Sequence, residues 1–201
     1  MTKVKTQDVS EPSMDRILRV TVGKPPKQIN GPISLMEYDP NWPKLFSREA
    51  VLIRNALCER ALRIEHVGST SVPSLVAKPI IDIMLAVADS ANEQSYVPPL
   101  EDLGYVLRIR EPEWHEHRML RRELEQDMMI NLHVFTEGDS EIGRMLAFRD
   151  WLRNNPEDRE RYAETKRKLA TQNWRYVQDY ADAKSKVVES IIARSHRTAR
   201  I

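Results

Sequence analysis

The chain has 201 residues, of which 41% are hydrophobic and 30% are charged, a composition typical of one globular domain with a buried core. The formal net charge of +1 argues against binding to nucleic acid or to an anionic membrane. The single cysteine excludes an intrachain disulfide, and no apolar run reaches the length of a membrane span. We therefore expect a cytoplasmic protein.

The N-terminal part of the chain is polar and is broken by glycine and proline residues. We interpret residues 1–32 as a flexible arm that precedes a folded domain over residues 33–195. Within the arm, apolar residues alternate with polar ones at Leu18, Val20 and Val22. Because strict alternation is typical of a strand, this segment is a candidate edge strand.

The next predicted elements are a helix and two strands. A turn before Trp42 leads into a helix whose apolar residues recur at helical spacing as far as Leu57. Cys58 continues this pattern, and we interpret it as a small core residue. A short strand then runs from Ile64 to Val67, a turn of small residues follows, and a second strand runs from Ile80 to Val87.

The middle of the chain predicts a short helix that ends at Leu103, and three strands after it. The strands run from Tyr105 to Arg110, from His117 to Glu123 and from Met128 to Phe135, and the first two are expected to form a hairpin. The third strand has one wholly apolar face, which we assign to the core: Ile130, Leu132 and Val134. Its opposite face carries polar groups and is expected to line a cleft.

Three helices are predicted for the C-terminal part, residues 140–195. The last of them carries an apolar stripe from Tyr176 to Ile192 with a spacing close to a heptad. We expect this stripe to pack against the preceding helices rather than to mediate dimerisation, and the oligomeric state stays open. The order of elements predicts an α+β or α/β domain, with a mixed β-sheet, flanking helices and a C-terminal helical part.

The strands around residues 64–84 carry the clearest indication of a ligand site. Gly68, Ser69 and Thr70 form a turn that can offer backbone N–H groups and hydroxyls to a phosphate. Asp82 lies inside an apolar strand, where a carboxylate is costly unless it is paired or binds a cation. Lys78 shares a strand face with Asp82, so it either pairs with this acid or contacts a ligand. The pattern favours a site for a phosphorylated ligand and a divalent metal.

Histidines and arginines of the later strands form a second polar group. His115 and His117 can combine with His133 in a three-histidine metal site, but we favour a polar cleft wall made of the same side chains. The hairpin arginines, among them Arg118, are either a solvated strand face or an anion-binding wall. Because few aromatic residues interleave with them, nucleic acid is not an expected partner.

Four stretches of the sequence resemble the GrpB family. They are YDPNWPKLF from Tyr38, IEHVGSTSVPSLVAKPIIDI from Ile64, NLHVF from Asn131 and FRDWLRNNP from Phe148. The resemblance extends from about Ile33 to Ile192 and departs from the usual pattern at Ser74, where the family commonly has glycine. It implies a fold of the nucleotidyltransferase superfamily. A related domain occurs fused to dephospho-coenzyme A kinase, which implies a link to nucleotide or coenzyme A metabolism.

The resemblance also implies roles for particular residues. Gly68 and Ser69 correspond to a triphosphate-binding turn, and Asp82 corresponds to the first carboxylate that binds Mg²⁺. Met84 stands where the superfamily has a second carboxylate, which is a departure from the metal-binding pattern. His133 stands near the expected place of a third acid, as a ligand or a base.

Two functions follow as hypotheses. The first is an enzyme that transfers a nucleotidyl or phosphoryl group from an NTP to a small acceptor. In this enzyme, the turn holds the phosphates, Asp82 binds the cation, and His133 serves as a metal ligand or a base. Lys78 and Arg118 offset the negative charge of the phosphates, and His117 contacts the ligand. The second is a non-catalytic module that binds a nucleotide or another small phosphorylated molecule after losing the metal pair.

Overall fold

The computed structural model describes residues 13–124 and 128–198. Its centre is one five-stranded sheet with the strands β1 Arg63–Val67, β2 Ile80–Val87, β3 Val106–Glu111, β4 His117–Glu123 and β5 Met129–Thr136. The spatial order is β1-β2-β5-β4-β3. The central pair, β2 and β5, is parallel, and every other pair is antiparallel. The predicted mixed sheet, the β3–β4 hairpin and the α+β class are thereby confirmed.

Helices flank the sheet and form the C-terminal part. They are α1 Ser13–Val20, α2 Trp42–Leu57, α3 Val97–Asp102, α4 Ser140–Asn154, α5 Pro156–Ala170, α6 Val177–Asp182 and α7 Ser185–Thr198. Single 3₁₀ turns lie at Cys58–Arg60, Ser69–Ser71 and Glu93–Ser95. In the part of the chain that the structure describes, no helix is both long enough and apolar enough to cross a membrane.

The two faces of the sheet bury different groups of apolar side chains. On one face, the predicted core residues of β5 are fully buried together with side chains of α2 and α3: Ile130, Leu132, Val134, Ile53, Leu57 and Leu100. On the other face, α4 covers a smaller cluster made of Val67, Met84, Ala86, Phe135, Ile142 and Leu146. Because side chains alternate between the two faces of a strand, β2 contributes Ile83 to the first cluster and Met84 to the second.

The predicted last helix is divided into α6 and α7 by a turn at residues 183–184. The apolar residues of α7 pack on α4, α5 and the segment after the Gly68 turn, in a cluster that contains Val72, Leu75, Leu152, Tyr162, Val187 and Ile191. The expectation that the stripe packs against the preceding helices is confirmed. The prediction of a single continuous helix is wrong, because a turn separates α6 from α7.

Near the N-terminus, the predicted strand at Leu18 and Val20 is wrong, because both residues lie in α1. The burial of the segment follows helical spacing: Ile17, Val20 and Thr21 are half-buried, whereas Leu18 is exposed. The chain still reaches the sheet edge directly after the helix, where the Val22 N–H donates to the Arg108 carbonyl at 2.8 Å. For residues 1–12, the predicted arm lies outside the described part.

Cys58 is exposed, so its interpretation as a core residue is wrong. Helix α2 ends at Leu57, which is fully buried. Cys58 follows with a φ of 50°, a left-handed conformation that departs from the helical path. The helical pattern therefore stops one residue earlier than the sequence predicts.

Candidate functional site

The turn after β1 lies directly against the side chain of Asp82. Gly68 has a φ of 68° and a ψ of −171°, a region that only glycine adopts readily. A Cβ atom at this position would lie 2.4 Å from Asp82 Oδ2. The register explains this proximity, because Val67 is the β1 partner of Asp82. The turn and the acid therefore form one unit in which no side chain fits at Gly68.

All three hydroxyl groups of the 3₁₀ turn Ser69–Ser71 form hydrogen bonds within the protein. Ser71 Oγ donates to the Gly68 carbonyl at 2.6 Å, and Thr70 Oγ1 donates to the Ile80 carbonyl at 3.0 Å. Since the single Thr70 proton is used in this way, His66 Nε2 is the donor in its 3.1 Å contact with Thr70 Oγ1. Both hydroxyls are buried. Ser69 is different, because its side chain forms a hydrogen bond with Tyr162 of α5.

Asp82 lies beside polar side chains of two other strands, β5 and β4. Asn131 Nδ2 donates to Asp82 Oδ1 at 3.1 Å, and Arg121 Nε donates to Asn131 Oδ1 at 3.1 Å. His133 Nε2 lies 3.7 Å from Asp82 Oδ1. Burial raises the pKa of Asp82, but hydrogen bonding with His133 and Asn131 more than offsets it and holds this pKa below its usual value. The acid is therefore ionised at neutral pH, with 28% of its side chain exposed.

A chain of hydrogen bonds leads from this acid into the sheet. His133 Nδ1 lies 3.1 Å from His117 Nε2, and His117 Nδ1 lies 2.8 Å from Glu111 Oε2. Burial lowers the pKa of His117, so its ring is neutral at neutral pH. A carboxylate can only accept a hydrogen bond, so the N–H of the neutral His117 ring is at Nδ1 and faces Glu111. The other nitrogen of this ring, Nε2, therefore accepts a hydrogen bond from the Nδ1–H of His133. Because Nδ1 of His133 faces His117, its other ring nitrogen, Nε2, is the one that faces Asp82 Oδ1.

The three-histidine metal site is not formed. His115 lies in the turn between β3 and β4 with a φ of 55°, and its Nδ1 contacts Asp139 Oδ1 at 2.8 Å. Within residues 13–124 and 128–198, no group of three or more histidine, cysteine, aspartate or glutamate side chains is arranged to hold a metal ion. The sequence pattern failed here because β4 begins only at His117.

Arg118 lies away from Asp82. It is paired in register with Val134, whose side chain is in the core on the opposite face of the sheet. Its Nε donates to Glu93 Oε1 at 2.5 Å, and only 4% of the residue is exposed. The hairpin arginines therefore form neither an exposed face nor a single wall: Arg118 and Arg122 pair with glutamates on one face, and Arg121 lies near Asp82 on the other.

Three lysines from separate parts of the chain interact electrostatically with the acid, and we call Lys78, Lys166 and Lys184 the lysine cluster. Lys78 and Lys184 both lie over the ring of Tyr180, with Nζ 5.6 and 4.6 Å from its centroid. Lys166 is 2% exposed, lies over the ring of Tyr162 and donates to the Val76 carbonyl. The sequence analysis identified only Lys78, because helical spacing alone does not distinguish the other two from solvent-exposed lysines.

The lysine cluster is electrostatically coupled to Asp82. Burial, assisted by the charge of Lys184, lowers the pKa of Lys78 to about 8, although Asp82 opposes the shift. Burial likewise lowers the pKa of Lys184, and it lowers that of Lys166 well below the ordinary value. Lys78 forms no direct ion pair with Asp82, so the simple pair that the sequence left open is absent from the described structure.

Met84, which stands where the resemblance implies a second carboxylate, lies in the apolar core. Met84 is fully buried beneath α4, between Val67, Phe135 and Ile142. Mg²⁺ prefers several oxygen ligands, and here one carboxylate lies beside a histidine and an amide group. These residues do not fit a resident metal site. A cation fits only as part of a complex in which phosphate oxygens supply its other ligands.

The burial of His66 beside the turn predicts how the stability of the protein depends on pH. Burial, assisted by Arg153 and Arg149, lowers the pKa of His66 from 6.5 to about 4, although Asp82 opposes the shift. The unfolded chain therefore binds more protons between pH 4 and 6.5, and stability is lost as the pH falls through this window. We expect about 3 kcal/mol of such loss, measured by urea unfolding. The His66→Gln variant should show a smaller slope between these pH values, and an equal slope would contradict the assignment.

Comparison with known proteins shows to which family this chain belongs. The family model described as GrpB protein matches residues 32–194. The chain belongs to the GrpB protein family. A UPF0157 protein of Halalkalibacterium halodurans is 58% identical over 199 residues, which cover 98% of this chain and 100% of that protein. The crystal structure of GrpB from Enterococcus faecalis has a TM-score of 0.73 and 31% identity, and the match covers 84% of this chain and 100% of that one.

Some less similar proteins have a different name. A protein of Mycolicibacterium paratuberculosis named dephospho-CoA kinase is 28% identical over 159 residues, which cover 68% of this chain and 39% of that protein. The similarity to this longer protein therefore concerns only a part of it.

The structure also explains one departure from the GrpB pattern. Ser74, where glycine is usual in the resemblance, has a φ of 64°. Glycine adopts this left-handed conformation without the steric cost that a Cβ atom brings. In this GrpB chain, Ser74 therefore adopts the backbone conformation that glycine favours, at a steric cost that glycine would not have.

Proposed function

We propose that this protein binds a nucleoside triphosphate, or a related small phosphorylated molecule, between the Gly68 turn and Asp82, and transfers a nucleotidyl or phosphoryl group to a small acceptor. The observation that carries the proposal is the contact between the turn and the acid, in which a Cβ atom at Gly68 would lie 2.4 Å from Asp82 Oδ2. Phosphoryl transfer depends mainly on positioning and on charge stabilisation, and both can be supplied by such a unit.

The proposed roles follow from the positions of the side chains. Ser69 and the backbone of the turn contact the phosphates, and Lys78 offsets their charge. A Mg²⁺ ion that enters with the phosphates is held by Asp82. His133, with Nε2 3.7 Å from Asp82 Oδ1, is placed to accept the proton of the acceptor hydroxyl. Thr70 supports the turn from inside, and His117 orients His133, so neither contacts the ligand. Arg118 has no role at the ligand.

A non-catalytic binding module is the second candidate, and a specific observation favours it. Met84 occupies the core position where the resemblance implies a second carboxylate. A single acid can still hold a cation that is bound to phosphates, but it stabilises the charge of a transfer reaction less well than two acids. The name dephospho-CoA kinase, carried by distant relatives, is compatible with either candidate.

Thermal unfolding with ATP or GTP, with and without Mg²⁺ or Mn²⁺, tests the proposal. We expect saturating nucleotide with metal to raise Tm by roughly 5–10 °C. Asp82→Asn should remove the part of this rise that depends on metal, whereas Asp102→Asn, an exposed residue of α3, should leave it unchanged. Phosphate or pyrophosphate release, followed by ³¹P NMR, should likewise be lost in Asp82→Asn.

The possible results separate the two candidates. A metal-dependent rise with turnover supports the enzyme. A rise that does not depend on metal, survives Asp82→Asn and occurs without turnover supports the binding module. If neither nucleotide raises Tm under any of these conditions, both candidates are contradicted.

A further inference from the structure

The lysine cluster brings together more positive charge than its surroundings neutralise. Lys78 precedes β2, Lys166 belongs to α5, and Lys184 lies in the turn between α6 and α7. The carboxylates that act on them electrostatically are Asp82 and, at Lys184, Asp182. Two further cations act on the cluster as well, Arg121 on Lys78 and Arg167 on Lys166. Like charges held in a poorly hydrated place are costly without a counter-ion.

Unused hydrogen-bonding capacity coincides with this charge. Among the residues that the structure describes, neither Lys78 nor Lys184 forms a hydrogen bond or an ion pair through its ammonium group. Tyr180, which lies beneath both ammonium groups, is fully buried, and its hydroxyl has no hydrogen-bond partner within the same described ranges. Buried polar groups are nearly always satisfied, so this combination indicates a bound acceptor.

We infer that the lysine cluster is a subsite for a polyphosphate chain, and that its ammonium groups, rather than a resident metal, carry most of the charge of that chain. The inference rests on the proposed function, in which a phosphorylated ligand binds beside Asp82, and it deepens this function by naming the ligand class. A monophosphate has one compact group of oxygens. A triphosphate has oxygens along a chain, and it can therefore contact the ammonium groups of both Lys78 and Lys184, which come from separate elements, while the buried Lys166 lies behind them.

Proton uptake is a consequence of this arrangement. Because burial lowers the pKa of Lys78 to about 8, this ammonium is only partly protonated at pH 8 in the free protein. A bound anion favours the charged form and raises the pKa again. The other charged side chains that act electrostatically on the cluster are Asp82, Asp182, Arg121 and Arg167. Binding should therefore take up about half a proton or more per ligand from the buffer.

The experiment uses inorganic tripolyphosphate, pyrophosphate and phosphate as probes, without metal and with a chelator present. Isothermal titration calorimetry at pH 8 in two buffers of different ionisation enthalpy measures affinity and proton uptake together. We expect affinity to fall in the order tripolyphosphate, pyrophosphate, phosphate. Lys184→Met should weaken tripolyphosphate binding roughly 10- to 100-fold. Lys186→Met, at an exposed position two residues away, should leave binding unchanged.

A stability measurement distinguishes a ligand subsite from a structural role. In the ligand-free protein, Lys184→Met removes an ammonium group that forms no hydrogen bond or ion pair within the described residues, so Tm should stay the same or rise. A structural lysine would give the opposite result, a lower Tm. Lys78→Met serves as a second variant with the same expectations, in case one substitution disturbs folding.

The inference is overturned if tripolyphosphate does not bind, or if it binds equally well to both lysine variants. It is also overturned if both variants lower Tm of the free protein. These results are distinct from a failure of the proposed function. Metal-dependent nucleotide binding that needs Asp82 and ignores the lysine cluster would leave that function standing, whereas tripolyphosphate binding without any nucleotide binding would support the subsite alone.

Discussion

Replacing Gly68 with alanine is expected to lower the free energy of unfolding by about 3 kcal/mol and to abolish nucleotide binding. Two effects add at this position. The backbone conformation, with φ 68° and ψ −171°, is strained for any residue that has a Cβ atom. The new Cβ would also lie 2.4 Å from Asp82 Oδ2 and 3.0 Å from Asp82 Cβ, so the turn and the acid must move apart. Urea unfolding and thermal unfolding with ATP and Mg²⁺ measure the two losses.

Gly143 provides the matched control for this substitution. It lies within α4, and a Cβ atom there would meet nothing within 4 Å. Gly143→Ala should therefore stabilise the protein by up to about 1 kcal/mol, because alanine has the higher helix propensity. A Gly68→Ala variant that lost less than about 0.5 kcal/mol would contradict the close packing of the turn on Asp82.

Replacing Glu49 with alanine is expected to lower the free energy of unfolding by about 3 kcal/mol. Glu49 lies on α2, is 3% exposed and accepts hydrogen bonds from Tyr105 at 2.9 Å and from Arg122 at 2.8 Å. Burial and the Glu49 carboxylate together raise the pKa of the Tyr105 hydroxyl. Truncation of Glu49 leaves a buried hydroxyl and a guanidinium without their acceptor, which costs more than the loss of an exposed pair.

Denaturant unfolding of Glu49→Ala, Arg122→Ala and the double variant tests this network. Because both single variants disrupt the same contact, the double variant should lose clearly less stability than the two single losses together. Glu59→Ala is the control, since Glu59 is an exposed residue in the 3₁₀ turn that follows α2. If Glu49→Ala behaved like Glu59→Ala, the buried pair would not contribute to the fold.

Local patterns were sufficient for the strands and for the main helix. Alternation and turn residues predicted β1, β2 and the β3–β4–β5 unit almost to their ends, and the apolar face of β5 is the core face. Patterns failed where a segment is short or a boundary is close. Leu18 and Val20 fit a strand and a helix equally well over so few residues, and Cys58 lies one residue beyond the end of α2.

Among the predicted site residues, strand geometry decides which ones meet. His117 and Arg118 are neighbours on β4, so their side chains point to opposite faces of the sheet. Only His117 reaches the side of Asp82, through its contact with His133. Thr70 lies in the predicted turn, yet its hydroxyl is used inside the protein. A motif therefore identifies a segment, whereas the direction of each side chain depends on register and hydrogen bonding.

The string of residues from Ile64 to Ile83 contains enough local information to indicate the family, the Gly68 turn and the acid at Asp82, because turn conformation and strand period depend on neighbouring residues. The lysine cluster depends on contacts between residues far apart in the chain: Lys166 reaches the Val76 carbonyl, and Lys78 and Lys184 both lie over the Tyr180 ring. Burial of these ammonium groups changes their pKa values, a property that no local pattern contains.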